Sequence, residues 1–205
     1  VLEQRLTLDY EISVVLTRDE SGNVRCFPTG ENRHSKGILD VSIIPARTSA
    51  CIASDAEDVA TRIAEKLGYV GTMGVEFFVS RGQLIVNEMA PRPHNSGHYT
   101  IDACVTNQFE QQVRALCGLP LGDPRAHSAA AMVNLLGDLW YDGEHYREPD
   151  WSRLHAIGNL KLHLYGKHHA RPGRKMGHFT VIGEEAAKVQ EAALAARAAI
   201  GIGDE

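Results

Sequence analysis

The sequence has few cysteines, and their spacing gives them no structural or metal-binding role. Cys26, Cys51, Cys104 and Cys117 lie far apart, and no two of them form a C-x-x-C pair. This spacing suggests no disulfide framework, so we expect reduced thiols in a cytoplasmic protein. Ten histidines are present, but no H-E-x-x-H motif or cysteine–histidine cluster accompanies them, so zinc is not predicted.

Long apolar runs and an excess of positive charge are also absent. No apolar stretch approaches the roughly 20 residues that span a bilayer, and no secretory segment opens the chain. The formal net charge of -5 argues against a nucleic-acid-binding protein, which usually carries a basic excess. Basic residues concentrate only in Lys161–Lys175, where composition alone favours a solvated loop and the sharper hypothesis is an anion site.

What the sequence does contain is enough apolar residues for a folded core. Its 205 residues suffice for one large domain, or for one domain with a small module, and 43% of them are apolar. The chain begins at Val1 and continues directly into strand-like sequence. We therefore expect it to be a piece of a longer protein, in which part of an active site lies elsewhere.

Apolar spacing and turn residues predict strands and two helices in the first 120 residues. Ser54 and Glu57 fit a capping box, and apolar residues at helical spacing follow, which predicts a helix over Asp55–Leu67. A second helix is predicted over Asn107–Cys117. Its predicted apolar face comprises Phe109, Val113 and Leu116. The predicted strands are residues 8–17, 24–27, 74–79 and 83–89.

A turn-rich segment, Leu119–His127, marks a predicted domain boundary. Beyond this segment the pattern changes to short strands followed by an alanine-rich helix. The predicted strands are residues 130–136, 160–165 and 176–181, and the helix is Glu184–Ile200. The sequence as a whole therefore predicts an α+β architecture.

Two carboxylates interrupt neighbouring strands that are otherwise apolar. Glu76 lies in the first strand and Glu88 in the second, and each is costly to bury unless it is paired or coordinated. A three-residue loop, Ser80–Gly82, would place both on one face, whereas a two-residue loop would place them on opposite faces. Outward-facing acids are the commoner case for one such residue, but two that share a face favour a Mg²⁺ site.

Three longer segments resemble one family. The segment Asn87–His98 reads N-E-M-A-P-R-P-H-N-S-G-H, and it follows G-V-E-F-F by about a dozen residues. This resembles the 5-(carboxyamino)imidazole ribonucleotide synthases, which are ATP-grasp enzymes of purine biosynthesis. Residues 171–178, R-P-G-R-K-M-G-H, and residues 32–39, N-R-H-S-K-G-I-L, are similar to two further motifs of that family. The resemblance extends from about residue 3 to residue 183.

The resemblance implies a two-part fold. Residues 1–120 would form the C-terminal half of an ATP-grasp fold, which is an antiparallel sheet with flanking helices. Residues 121–205 would form a small strand-rich C-terminal module with a terminal helix. The family's N-terminal Rossmann-like domain and lid would be absent from this chain, so we expect these residues alone to be inactive.

The resemblance also implies a site for ATP and Mg²⁺. Glu76 and Glu88 match the magnesium ligands, Glu11 matches the ribose-binding acid, and His34 matches a residue near the phosphates. The remaining residues implied for the nucleotide are Glu3, Gln4, Arg5, Leu6, Val86 and Asn87.

A second set of residues is implied for the ribonucleotide and bicarbonate. Arg92 and His94 would be catalytic, and Arg92 would stabilise carboxyphosphate. The residues implied to face the imidazole and the bicarbonate-derived group are Arg92, His94, Asn95 and Ser96. Those implied for the 5′-phosphate are Lys167, Arg171, Arg174 and Lys175, because arginine and lysine bind phosphate oxygens well.

The implied activity is ATP-dependent carboxylation of 5-aminoimidazole ribonucleotide with bicarbonate, through carboxyphosphate. The implied partners are these small molecules and a second copy of the chain in a homodimer, without nucleic acid or membrane. Two alternatives stay open. One is another ATP-grasp carboxylase or transformylase, which should lack the H-N-S-G-H and R-P-G-R-K-x-G-H segments, and the other is a non-catalytic nucleotide-binding regulatory module.

Overall fold

The computed structural model describes residues 5–202, and an antiparallel sheet of nine strands forms its centre. The nine strands of this sheet are β1 (Tyr10–Arg18), β2 (Val24–Cys26), β3 (Gly30–Ser35), β4 (Ile38–Ile44), β5 (Gly71–Ser80), β6 (Gln83–Ala90), β7 (Ala129–Leu136), β10 (Leu160–Leu164) and β11 (Lys175–Gly183). Two further strands, β8 (Tyr141–Asp142) and β9 (His145–Tyr146), lie outside it. The helices are α1 (Ala50–Lys66), α2 (Thr100–Ala103), α3 (Gln108–Leu116), α4 (Ser152–His155) and α5 (Ala186–Ala199), with short 3₁₀ turns at Asn95–Gly97 and Gly137–Trp140.

The strand order is β10-β11-β7-β4-β3-β1-β5-β6, with β2 beside β1, while β8 and β9 form a separate hairpin. Every pairing is antiparallel. The predicted α+β architecture with an antiparallel sheet and flanking helices is therefore confirmed. Within residues 5–202, no helix combines the length and the apolarity that crossing a bilayer requires.

One face of the sheet is apolar and is covered by two helices. On β1, Ile12, Val14 and Leu16 are fully buried and belong to a cluster with the small residues of α1. A second cluster joins Phe179 and Val181 of β11 to the buried side of α5. Fully burying one such side chain stabilises a protein by roughly 1.5–3 kcal/mol, so these contacts hold the helices on this face.

The other face carries the polar residues of the site and also a third apolar cluster, which includes Val15, Ile44 and Met132. The two faces differ because side chains alternate between them along a strand. Ser13 of β1 lies opposite Glu76 of β5, and Glu11 lies opposite Asn32 of β3 and Phe78 of β5. The chain from Ala90 to Ala103, together with α3, covers part of this face. The rest stays open and forms the candidate site.

The sheet continues across the predicted domain boundary. Strand β4 pairs with β7, and the register runs from Val41 opposite Val133 to Ile44 opposite Ala130. The strands of the predicted C-terminal module therefore extend the same sheet that contains the acidic pair. Residues on both sides of the boundary can consequently contribute to one site.

Helix α1 begins five residues before the predicted start. Its N-cap is Ser49, whose hydroxyl accepts a hydrogen bond from the Ile52 amide at 3.2 Å. Ser54, which was predicted to begin the helix, is exposed inside it. The error has a simple cause, because both serines are good cap residues and the apolar positions before Ser54 are too few to show a helical period.

The predicted three-residue loop between β5 and β6 is wrong. Ser80 pairs with Gln83, so the loop has two residues, Arg81 and Gly82, which both adopt positive φ (51° and 71°). Such a loop alone would place the two acids on opposite faces. A β-bulge at Asn87 offsets this change, and Glu76 therefore lies directly opposite Glu88.

Helix α3 buries the side opposite to the one that the sequence predicted. Gln108, Gln111 and Ala115 are its buried residues. The predicted apolar face is exposed, and it consists of Phe109 (43% exposed), Val113 (57%) and Leu116 (62%). The buried face is polar because its glutamines bind backbone groups of neighbouring loops.

Strands β3 and β4 were not predicted. The sequence of β3 is Gly-Glu-Asn-Arg-His-Ser, which has no β-branched or aromatic residue and therefore no strand pattern. The two strands pair through a turn at Lys36 and Gly37, both with positive φ. The segment 32–39 thus forms the end of a β-hairpin.

Candidate active site

A cavity of about 750 Å³ opens on the polar face of the sheet. It is bounded by strands from both sides of the predicted boundary and by the chain that follows β6. Its lining residues are Leu8, Glu11, His34, Gly37, Ile38, Leu39, Glu76, Phe78, Asn87, Glu88, Arg92, His94, Asn95, Gly173 and Lys175. Nine of the residues that the sequence suggested are in this set.

The acidic pair forms one wall of the cavity. Glu76 is only 9% exposed, and burial raises its pKa, to which the nearby Glu88 charge contributes further. One ligand atom each from Glu76, Glu88 and His94 lies within 4.8 Å of the others. Two carboxylates with free oxygens beside a cavity fit Mg²⁺, which binds oxygen ligands and keeps water or phosphate as the others.

His94 is held in one orientation beside this pair. Its Nδ1 accepts a hydrogen bond from Ser96, whose Oγ lies 2.9 Å away and in turn accepts one from Ser13 Oγ at 2.8 Å. Burial lowers the pKa of His94 to about 4, so the ring is neutral near pH 7. Since Nδ1 is an acceptor, the proton is on Nε2, which lies 3.7 Å from Glu76 Oε1. In this form His94 faces the carboxylate as a donor.

Lys175 supplies positive charge at the cavity. A β-bulge between Lys175 and Gly177 turns the lysine onto the same face as His178. Burial lowers the pKa of Lys175, while Glu76 opposes that shift. Arg92 is exposed at the cavity, and its Nη1 donates to the Pro93 carbonyl at 3.1 Å. These two cations can bind anionic groups beside the acidic pair.

A third polar group consists of Glu11 and His34. Their Oε2 and Nδ1 atoms lie 3.1 Å apart, and this contact raises the pKa of His34. Both residues line the cavity. A β-bulge at Asp40 of β4 places His34 opposite Leu39. Glu11 can therefore accept hydrogen bonds from a ligand's hydroxyl groups, at the cost of its contact with His34.

Several predicted residues do not line the cavity. Val86 lies opposite Phe77, on the other face of the sheet, and is 46% exposed. Ser96 is buried beneath His94, where it supports the ring. Arg5 and Leu6 lie outside the lining. Glu3 and Gln4 lie outside the described residues.

The basic loop between β10 and β11 carries the other predicted residues. Lys167, Arg171 and Arg174 are exposed on it, next to the lining residues Gly173 and Lys175. The Lys167 ammonium donates to the backbone carbonyl of Lys175, and Arg174 Nη1 donates to the His169 carbonyl at 2.7 Å. The loop therefore presents its cations near the cavity without placing them in its lining.

Some residues of the site were not predicted. Phe78 and Leu8 line the cavity, and Phe78 lies two residues from Glu76, so strand alternation could have identified it. Gln108 was also missed, although it is fully buried and binds the backbone of His94. No sequence signal separates this glutamine from a solvated one on an amphipathic helix.

A second group of possible metal ligands, Asp102, His163 and His178, does not form a metal site in this arrangement. The rings of His163 and His178 are stacked, with centroids 4.6 Å apart and planes 17° from parallel. A metal ion lies near the plane of each imidazole that binds it, and nearly parallel stacked rings have no such common point. His163 Nε2 instead lies 2.8 Å from Asp102 Oδ2 in a hydrogen bond.

Two family models match the chain. Residues 1–109 match the ATP-grasp domain, and residues 130–192 match the phosphoribosylaminoimidazole carboxylase C-terminal domain. The N5-carboxyaminoimidazole ribonucleotide synthase of Bacillus subtilis (strain 168) is 46% identical over 181 residues, which are 88% of this chain and 46% of that protein. The chain spans about half the length of the curated relatives it matches.

Solved structures are similar over nearly the whole chain. The N5-carboxyaminoimidazole ribonucleotide synthetase of Thermus thermophilus superposes with a TM-score of 0.87 at 40% identity, over 97% of this chain and 52% of that one. The N5-carboxyaminoimidazole synthase of Aspergillus clavatus was solved in complex with ADP and 5-aminoimidazole ribonucleotide. It gives a TM-score of 0.85 at 29% identity, over 96% of this chain and 52% of that one.

Proposed function

Since this chain belongs to the ATP-grasp family, we propose that its protein carboxylates 5-aminoimidazole ribonucleotide, using ATP and bicarbonate. One observation carries the proposal. A single cavity brings the acidic pair together with Arg92, His94 and Lys175. Both cations, Arg92 and Lys175, belong to segments that resemble the synthases, and the relatives that the chain matches are named for this product. ATP, Mg²⁺ and both substrates are parts of the proposal.

In the proposed reaction, a bicarbonate oxygen attacks the γ-phosphorus of ATP, ADP leaves and carboxyphosphate forms. The amino nitrogen of the ribonucleotide then attacks the carboxyl carbon, phosphate leaves, and the nitrogen loses a proton as the new N–C bond forms. Positioning and charge stabilisation are the protein's main contributions to such phosphoryl transfer. No side-chain nucleophile is required.

The acidic pair, Glu76 and Glu88, would hold Mg²⁺, with Asn87 able to add a neutral oxygen. When bound, this ion supplies positive charge that offsets the charge developing on the transferred phosphoryl group. Glu11 would accept hydrogen bonds from the ribose hydroxyls of ATP. His34 would then be released from Glu11, which leaves its ring free to face the phosphates.

The basic residues divide between two anions. Arg92 and Lys175 line the cavity and would stabilise carboxyphosphate, with the neutral His94 as a fixed hydrogen-bond donor. This assignment moves Lys175 out of the group that the sequence implied for the 5′-phosphate. The exposed Arg171 and Arg174 of the basic loop, together with Lys167, would bind the 5′-phosphate of the ribonucleotide. Arginine suits this role because its guanidinium makes two parallel hydrogen bonds to phosphate oxygens.

We further propose that the protein is a cytoplasmic homodimer. The support for the dimer is the outward face of α3, where Phe109, Val113 and Leu116 are all exposed. Val105 and Leu119, just before and after this helix, are also about half exposed, at 52% and 50%. A group of neighbouring apolar side chains on one surface is typical of a protein interface.

Phosphate release from ATP by the full-length gene product tests the function. Release in the presence of bicarbonate should rise strongly when 5-aminoimidazole ribonucleotide is added. A Glu88→Gln variant should lose this stimulation, because one metal carboxylate is gone. Glu65→Gln, on the exposed side of α1, is the matched control and should behave like the wild type.

Three results would change the proposal. Stimulation by a different ribonucleotide would point to another ATP-grasp carboxylase or transformylase. ATP binding without any turnover would favour the regulatory module. If the stimulation survives in Glu88→Gln, the proposed reaction stands but the role of Glu88 as a metal ligand is contradicted.

A further inference from the structure

The buried glutamine at the start of α3 makes two hydrogen bonds to one active-site residue. The His94 backbone N–H donates to Gln108 Oε1 at 2.8 Å, and Gln108 Nε2 donates to the His94 carbonyl at 2.8 Å. The same Nε2 lies 2.9 Å from His98 Nδ1. The Gln108 side chain has no exposed surface. We call this paired contact the Gln108 clamp.

We propose that Gln108 is a positioning residue of the candidate active site, because the clamp fixes the His94 backbone and thereby the imidazole beside Glu76. This inference rests on the proposed function for its catalytic consequence. Gln108 does not line the cavity, so it acts only through His94. A carboxamide suits the task, because it offers one acceptor and one donor edge to a backbone N–H and C=O.

Two glycines leave the space that the clamp requires. A Cβ atom at Gly97 would lie 2.7 Å from Gln108 Oε1 and 3.0 Å from Val15 Cγ2. A Cβ atom at Gly74 would lie 2.7 Å from both Cβ and Cγ of His94. Each approach is too close for a real side chain. The local sequence therefore fits this arrangement of glutamine, histidine and strand closely.

The clamp completes a support around His94. Its backbone is held by Gln108, its Nδ1 by Ser96, and its ring lies against the backbone of β5 at Gly74. The one ring nitrogen that remains, Nε2, faces Glu76. Catalytic groups that are fixed before the substrate binds need no reorganisation during the reaction. Loss of the clamp should therefore reduce the turnover rate more than it reduces binding of ATP.

The same helix provides a matched control. Gln111 is also fully buried, and it makes an equivalent pair of hydrogen bonds with the backbone of Gly122, both at 2.9 Å. Neither residue lines the cavity. Replacing either glutamine by methionine keeps the length of the side chain and removes both hydrogen bonds. The two variants differ in which loop they release, and Gln108→Met also removes the contact between Nε2 and His98 Nδ1.

Kinetics of the full-length protein separate positioning from structure. Gln108→Met and Gln111→Met should lower the melting temperature by similar amounts. Gln108→Met should lower kcat about 10- to 100-fold, as expected when a reacting group is displaced by about 1 Å, with KM for ATP nearly unchanged. Gln111→Met should retain kcat within about threefold. Gln108→Glu keeps the acceptor and loses the donor, so its kcat should lie between those of the wild type and Gln108→Met. If Gln108→Met does not fold, Gln108→Glu takes its place in the comparison.

A spectroscopic measurement tests the inference without any substrate. The ¹⁵N chemical shifts of the His94 ring should report the Nε2–H tautomer in the wild type and in Gln111→Met. Gln108→Met should give shifts averaged between the two tautomers, because the released ring no longer keeps its bond to Ser96. Wild-type shifts and kcat in Gln108→Met, or equal changes in both variants, would overturn the positioning role. If the proposed reaction is absent but the shifts respond as expected, only the proposed function fails.

Discussion

At the scale of single residues, the buried carboxyl of Glu76 makes metal binding depend on pH in a particular direction. Burial and the neighbouring Glu88 raise its pKa above the ordinary carboxyl value of 4.5. A proton therefore competes with Mg²⁺ at higher pH than it would at an ordinary carboxylate. The affinity for Mg²⁺ should be full at pH values above the raised pKa of Glu76, and it should be lost as the pH falls through that pKa.

We predict that this pH profile shifts when the neighbouring charge is removed. In Glu88→Gln, Mg²⁺ should bind more weakly at all pH values, because one ligand charge is lost. The midpoint of the profile should nevertheless move to lower pH, because the like charge that raised the Glu76 pKa is gone. Calorimetric titration of Mg²⁺ between about pH 4 and 8 measures both effects. A midpoint that stays in place or rises would show that Glu88 does not act on Glu76.

Individual residues also show how far sequence reasoning extends. Glu76 and Glu88 could be identified as a pair, because carboxylates in apolar strands are unusual and their strands are adjacent in the chain. The role of Gln108 could not be predicted. It depends on the path of a loop that folds back over the sheet, and the sequence around Gln108 has the pattern of a helix with the opposite side buried.

At the scale of elements, three β-bulges position the residues of the site. They occur between Arg33 and His34, at Asn87 before Glu88, and between Lys175 and Gly177. The extra residues are Asp40 of β4, Asn87 of β6 and Met176 of β11, and each changes which face of the sheet the neighbouring side chains of its own strand occupy. A bulge depends on the partner strand as well as on its own sequence. Most of the strands, although not β3 and β4, could therefore be predicted from the chain, whereas the register that brings Glu88 and Lys175 to the cavity could not.

The start of α1 gives a prediction that separates the sequence-based interpretation from the structure. Ser49→Ala should reduce the free energy of unfolding by about 1 kcal/mol, because the Ile52 amide loses its capping acceptor. Ser54→Ala should change it by less than about 0.5 kcal/mol, because Ser54 is exposed within the helix and alanine favours helices. Chemical denaturation of both variants provides the comparison. A larger effect at Ser54 would restore the predicted capping box.

At the scale of the whole molecule, the outward apolar face of α3 makes the proposed dimer testable. Leu116→Glu places a charge on a side chain that is 62% exposed on this face. If the face is the dimer interface, the variant should be monomeric at concentrations where the wild type is dimeric, because burying an unpaired carboxylate is costly. Light scattering at micromolar concentration measures the oligomeric state of the wild type and of the variant.

Leu67→Glu is the matched control, because Leu67 is 55% exposed at the end of α1 and lies on a different helix. This variant should remain dimeric. A monomeric wild type would remove the homodimer from the proposal. A dimer that persists in Leu116→Glu would place the interface on another surface.

The pairing of β4 with β7 has a consequence for recombination between related genes. A crossover in the connection between α3 and β7 would join a β4 from one parent to a β7 from the other. The chimera must then form a strand pair that neither parent selected, at Val41–Val133 and Ile43–Ala131. Exchange of the C-terminal segment should succeed only between parents whose residues at these four positions are compatible. The two segments should therefore be inherited together, even though separate family models describe them.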